Sequence, residues 1–115
     1  MARKDHSGVH NQEVSHTGWR SCFGAYLDRR QVGFARVITD QATFAWICDV
    51  FVDEGVRGRG VGKRLVAAIM EDPRLQGLKR MMLATDDAHG LYAAFGFEPL
   101  EQPEKWMVRS GPTPA

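Results

Sequence analysis

Residues 44–70 read FAWICDVFVDEGVRGRGVGKRLVAAIM, and this run restricts the fold more than any other part of the chain. Over residues 44–52 apolar side chains fall on both alternating faces. Phe44, Trp46, Cys48, Val50 and Val52 share one face; Ala45, Ile47 and Phe51 share the other. Such a strand belongs inside a sheet covered on both sides. Only Asp49 interrupts it, and Asp53-Glu54-Gly55 ends it. From Val61 the period becomes helical: Val61, Leu65, Val66, Ile69 and Met70 form one stripe, with Lys63, Arg64 and Glu71 off it. Asp72-Pro73 stops the helix.

Between strand and helix stands Arg57-Gly58-Arg59-Gly60-Val61-Gly62. Alternating glycines are costly at a helix start unless the backbone must turn with positive φ or approach a ligand closely. The first turn of a helix also leaves N–H groups unpartnered at the positive end of its dipole. Together these features make a phosphate site. Arg57, Arg59, Lys63 and Arg64 add charge, and arginine can grip phosphate with two donors. Two common phosphate loops do not fit. In the Walker-type loop a Ser or Thr should follow Gly62-Lys63, and Arg64 stands there. In the dinucleotide fingerprint a glycine should stand where Lys63 is.

At 115 residues the chain makes one domain, with residues 1–18 expected as a mobile leader and 110–115 as a disordered tail. Its 43% apolar and 25% charged residues are ordinary for a globular protein. A net charge of +1 gives no overall pull toward nucleic acid or membrane, and no apolar run is long enough to span a bilayer. No signal-peptide core is present, and Cys22 and Cys48 read as free thiols, so a cytoplasmic location is expected. His6, His10 and His16 lie in the polar leader without a packed scaffold, and no metal centre is expected.

Elsewhere the pattern predicts strands over residues 22–27 and 32–39, joined by the polar turn 28–31, then a turn into 44–52. A further strand over 80–85 follows the helix and should run parallel to 44–52. Thr85, Asp86 and Asp87 are expected to cap a second helix whose stripe is Ala88, Leu91, Tyr92 and Phe95, with Gly96 as its stop. Residues 97–100 and 105–109 read as a terminal pair of short strands. The expected class is α+β: a mixed, mostly antiparallel sheet with one parallel, splayed pair and two main helices.

The R-x-x-G-x-G spacing of Arg57, Gly60 and Gly62 after an apolar strand resembles the pyrophosphate loop of the GNAT superfamily of acyl-CoA-dependent N-acyltransferases. Leu91-Tyr92-Ala93-Ala94-Phe95-Gly96-Phe97 resembles the L-Y-x-x-x-G-F segment that closes that core. The resemblance implies acetyl-CoA as co-substrate, bound where the parallel strands part. Its pantetheine arm would lie along Phe51 and Val52, and its pyrophosphate on Gly58, Arg59, Gly60, Val61, Gly62 and Lys63 beside Arg57. Thr85 stands where relatives often carry a cofactor-contacting residue, with an N-cap as its plainer role. Tyr92 matches the acid that protonates the leaving thiolate, or is a packing residue. Asp49 either handles the acceptor ammonium or is a carboxylate satisfied by Arg36. The acceptor would be the amine of a small molecule or a protein; the alternative is a non-catalytic acyl-CoA-binding module or sensor without a complete acceptor site. Relatives usually begin with a strand and one or two helices for which this chain shows only a polar leader. Apolar surface should therefore remain, and a homodimer is expected.

Overall fold

The strand–turn–helix unit forms with the expected boundaries, and the rest of the chain is laid against it. In the computed structural model, which describes residues 3–4 and 9–112, strands β1 (Arg3–Lys4), β2 (Val9–Thr17), β3 (Arg20–Leu27), β4 (Arg30–Thr39), β5 (Phe44–Val52) and β6 (Arg80–Leu83) form one sheet in sequence order. Neighbours are antiparallel except β5 and β6, which are parallel. Helix α1 (Val61–Glu71) provides the crossover, and the short α2 (His89–Ala93) follows β6. The sheet is mixed and mostly antiparallel, as expected.

Helix α1 lies across one face of the sheet. Its Val61, Leu65 and Ile69 pack with Phe23, Ala25, Ala35, Val37, Ala45 and Ile47 in a single buried cluster. Each fully buried Val, Leu, Ile or Phe among them contributes about 1.5–3 kcal/mol by leaving water. Asp72 ends the helix and is itself buried. Its carboxylate accepts from Arg74 Nε at 3.0 Å, Arg74 Nη2 at 2.8 Å and the Arg74 backbone N–H at 2.9 Å. That fork satisfies a charge that would otherwise be costly to bury.

The structure corrects four expectations about the sheet. Residues 9–17, taken as leader, form β2, paired with β3 from Val9↔Leu27 to Thr17↔Arg20. Their strand period is hidden by a register shift between Glu13 and Ser15, which leaves Val14 as an extra residue and breaks the alternation. Met1, Ala2 and residues 5–8 lie outside the described residues, as do 113–115 of the expected tail. The turn between β3 and β4 needs only Asp28 and Arg29, both at positive φ (50° and 68°), as a two-residue hairpin requires. The terminal strand pair does not form: residues 97–100 have no regular structure and Pro103–Lys105 is a short 3₁₀ turn. Pro99 and Pro103 have no N–H to give a ladder there.

The fourth correction concerns β5. Arg36 pairs with Asp49 and Val37 with Ile47, so Cys48 is a bulge residue. Beyond it the two faces of the strand exchange. Val50 and Val52 join Ala45 and Ile47 against the core, while Asp49 and Phe51 turn to the face away from α1. Phe51 is 60% exposed, so this end of the strand is covered on one side only.

Asp40 organises the turn into β5. Its carboxylate accepts from the Thr43 hydroxyl and from the backbone N–H groups of Thr43, Ala42 and Phe44. These bonds, the Thr43 hydroxyl first, hold the carboxyl well below the usual carboxylate range. A depressed folded-state pKa gives stability that is fully present above the unfolded value and is lost as pH falls through the folded one. Asp40→Asn should therefore be less stable than wild type at pH 7. The difference should shrink as pH falls below about 4. Denaturant melts at pH 7 and pH 3 check this, and an equal difference at both would exclude it.

Candidate functional site

The parallel ladder between β5 and β6 is short. It runs from Phe44↔Arg80 to Ile47↔Leu83 and stops one residue before the bulge at Cys48. Among the described residues, Cys48 to Val52 have no ladder partner on the β6 side. The chain thus presents a free strand edge that leads directly to the start of α1.

That start is built by a short 3₁₀ turn, Glu54–Val56. Asp53 caps it by accepting from the Gly55 N–H at 3.3 Å, and Val56 is buried beneath it. Asp53 is held in turn by its own N–H on the Val32 carbonyl at 2.8 Å. The loop then rises through Arg57, Gly58, Arg59 and Gly60, all exposed. Gly58 has φ of 85° and Gly60, the N-cap of α1, has φ of 78°, the left-handed region that side-chain-bearing residues avoid. Nothing lies within 4 Å of where a Cβ would stand on either, so the free protein leaves this concavity open. Arg57, Arg59 and Lys63 surround it, exposed and without ion pairs among the described residues. Open glycine backbone, a helix N-terminus and three free cations make a receptor for an anion such as a diphosphate.

Gly62 is different. It sits in the first turn of α1, where a Cβ would meet Leu91 Cδ2 at 3.5 Å and Val52 Cγ2 at 3.7 Å, both ordinary contacts. The end of β5, the start of α1 and helix α2 therefore converge on this residue. Val61 beside it is buried in the core and offers only backbone to a ligand.

Tyr92 lies in α2, 8% exposed, with its ring edge-on to Phe97 at 5.9 Å between centroids. The Phe97 N–H returns to the Tyr92 carbonyl at 3.2 Å, and Gly96 turns the chain at φ of 91°. Burial pushes the phenol above its ordinary pKa, so it keeps its proton across the neutral range. Thr85 does not cap α2 as expected. Its Oγ1 accepts from the Ala88 N–H at 3.0 Å, which folds the turn ahead of the helix, and Ala88 is the N-cap.

Asp49 forms the expected pairing with Arg36, but it is exposed and not buried as its place in an apolar strand suggested. It faces away from α1 and pairs with Arg36, Nη2 to Oδ2 2.9 Å, across the β4–β5 rung. The bulge put it there, and no periodicity argument could have found that. The arrangement brings together the free edge at Phe51 and Val52, the glycine loop, Gly62 and α2. Asp49 lies beside the point where the ladder ends. No group of three or more His, Cys, Asp or Glu residues able to hold a metal occurs among the described residues.

Comparisons with known proteins bear on the family and the fold. Residues 3–97 match the Acetyltransferase (GNAT) family. The fold is similar to the crystal structure of a candidate GNAT acetyltransferase from Xanthomonas campestris pv. campestris. That similarity has a TM-score of 0.76 and 56% identity, and covers 81% of this chain and 66% of that one. The chain is 38% identical to the candidate acetyltransferase FG08082 of Gibberella zeae, over 62% of this chain and 51% of that protein. It is 34% identical to the histone acetyltransferase TAP1 of Glycine max, over 61% of this chain and 31% of that protein. It therefore spans about half of the first of these curated relatives and under a third of the second. With the family pattern running from the first described strand to the turn after α2, the chain belongs to the GNAT family of acetyltransferases.

Proposed function

We infer that this protein transfers an acetyl group from acetyl-CoA to a primary amine by direct attack within a ternary complex. One observation carries the reading: the β5 edge is released by β6 at the bulge and leads straight into an open, cationic glycine loop at the start of α1. An extended amide-bearing arm ending in a diphosphate has the shape and the chemistry of that path. The arm pairs with the free edge near Phe51 and Val52 as an added strand would. The diphosphate lies on the amides of Gly58 to Gly62, with Arg57, Arg59 and Lys63 as counter-charges. Thr85, just past the end of β6, borders the same gap.

The chemistry needs no nucleophile from the protein. The bound ammonium loses a proton, its nitrogen attacks the thioester carbonyl, the C–N bond forms and the C–S bond breaks. The nitrogen then sheds a second proton and the thiolate takes one, so one proton is released per turnover. Tyr92, buried and protonated, is the donor for the thiolate. Asp49, beside the gap, receives the ammonium. Holding both reactants together supplies much of the rate.

Release of CoA thiol from acetyl-CoA, followed against a panel of amines, tests the reading. Amine-dependent thiol release supports it. Acetyl-CoA binding with no thiol release for any amine would leave a binding module instead.

The reading includes self-association. Met107 and Val108 are 96% and 89% exposed in the segment after the 3₁₀ turn, where Trp106 stacks on Arg80 at 5.1 Å. Adjacent apolar side chains this bare support the packing of a second copy on this segment. Sedimentation should show a dimer for wild type and a monomer for Met107→Asp/Val108→Asp. A wild-type monomer at high concentration would exclude it. The two free cysteines and the lack, among the described residues, of any helix long and apolar enough to cross a membrane are compatible with work in the cytoplasm.

A further inference from the structure

On the sheet face turned away from α1, β4 and β5 oppose each other in three successive rungs: Phe34 to Phe51, Arg36 to Asp49, and Ile38 to Trp46. The middle rung is an ion pair, with 40% of the Arg36 side chain and 54% of the Asp49 side chain exposed. The Arg36 Nε is buried and has no acceptor among the described residues. The rungs on either side are apolar, and Phe51 and Ile38 are both exposed. The charged rung stands beside Cys48, where the β5–β6 ladder has just ended.

The geometry points to an acceptor of one class: an apolar α-amino acid, taken as its zwitterion by the Arg36–Asp49 rung and acetylated on its α-nitrogen. This rests on the acetyl-transfer reading above and names the substrate of that same site. A fixed pair of opposite charges on an open face is a local dipole. The ligand that complements it carries the reverse pair at a similarly short spacing. An α-amino acid does: its carboxylate meets the remaining donors of Arg36 and its ammonium meets the outer lone pairs of Asp49.

Simpler molecules fit worse. A monoamine satisfies Asp49 but sets its charge beside that of Arg36. A carboxylic acid satisfies Arg36 and meets the like charge of Asp49. Each is rejected by one member of the pair, which is how a small site discriminates. The flanking Phe34–Phe51 and Ile38–Trp46 rungs then provide apolar surface for the amino-acid side chain. Binding in this orientation leaves the nitrogen on the Asp49 side, next to the bulge and the released strand edge.

L-Phenylalanine, phenethylamine and 3-phenylpropanoate share one ring and differ only in which charge they carry. Their binding to the protein in the presence of CoA, measured by calorimetry, tests the inference without requiring turnover. L-Phenylalanine should bind about tenfold or more tightly than either analogue, the range expected for a charge-assisted contact. Arg36→Gln should erase the preference over phenethylamine while keeping the stabilisation by acetyl-CoA. Equal binding of phenylalanine and phenethylamine to wild type overturns the inference, as does a preference that survives in Arg36→Gln or no binding of any of the three. Thiol release with the two amines is the second arm. If neither releases thiol nor does any other amine, the transfer reading fails while the calorimetry still decides the ligand class. If amines release thiol without regard to a carboxylate, transfer stands and the amino-acid assignment falls.

Discussion

Tyr92→Phe is expected to lower amine-dependent thiol release about a hundredfold or more at neutral pH, within the usual reach of general acid catalysis. The substitution removes one hydroxyl and keeps the ring that packs edge-on to Phe97, so the fold and acetyl-CoA affinity should hold. The loss should therefore appear in kcat and kcat/KM alike, the mark of an interaction made only as the thiolate leaves. The pH profile adds a second reading. Burial raises the Tyr92 pKa, so the donor is in place through the neutral range and is lost only as pH climbs past the ordinary phenol value of about 10. Wild type should lose activity along that alkaline limb, and the variant should lack the limb. Wild-type turnover in Tyr92→Phe would make Tyr92 a packing residue, with water as the proton source.

The second large effect separates two glycines of one loop. Gly60 has φ of 78°, and alanine there carries about 1–2 kcal/mol of backbone strain. Gly60→Ala should be less stable than wild type and should lose its thermal stabilisation by acetyl-CoA. Gly62 lies in regular helix with room for a methyl group, so Gly62→Ala should hold or gain up to about 1 kcal/mol of stability in the free protein. Its added carbon would point at Leu91 and Val52 and not into the open loop, so Gly62→Ala should keep the acetyl-CoA shift that Gly60→Ala loses. Saturating ligand at about a hundred times Kd is worth about 2.7 kcal/mol, so the shift is easily read by thermal melting. If Gly60→Ala keeps a full shift, the diphosphate is not bound at this helix start.

The parts of the fold legible in the sequence were those whose pattern was local. The helical stripe from Val61 to Ile69 and the stop at Asp72-Pro73 came out with the predicted limits because one period ran through the helix without interruption, and the strand over residues 44–52 kept its limits because apolar residues fill both of its faces. The glycine loop was legible for the same reason: its chemistry is a matter of spacing along the chain. What could not be read depended on partners far away in sequence. β2 holds its place by pairing with β3 and by Asn11, whose Nδ2 donates to the Arg64 carbonyl of α1 at 2.8 Å. Its own alternation is hidden by the extra Val14. The pairing of Asp49 with Arg36 is legible in the sequence as one of two alternatives, but its exposure follows from the bulge at Cys48, which no local pattern reveals. At the C-terminal end, β-type composition at residues 105–109 suggested a strand, and composition cannot provide a neighbour to pair with.

The extra residue at Cys48 also guards the strand against slipping. If β5 straightened and paired with β4 without its bulge, strict alternation would carry Asp49 and Phe51 under α1 and push Val50 and Val52 out to water. A carboxylate would then be driven among Leu65, Val61 and their neighbours, with no partner there to meet it. The side-chain order thus makes the flat strand the costlier state, and the kink is written into the sequence as the cheaper one. Removing Cys48 outright has another outcome: residues 49–52 keep their facing, and only the bend is erased. One chain position can in this way be deleted to iron out a curve without turning any side chain over, which leaves the opening between two strands adjustable by length alone.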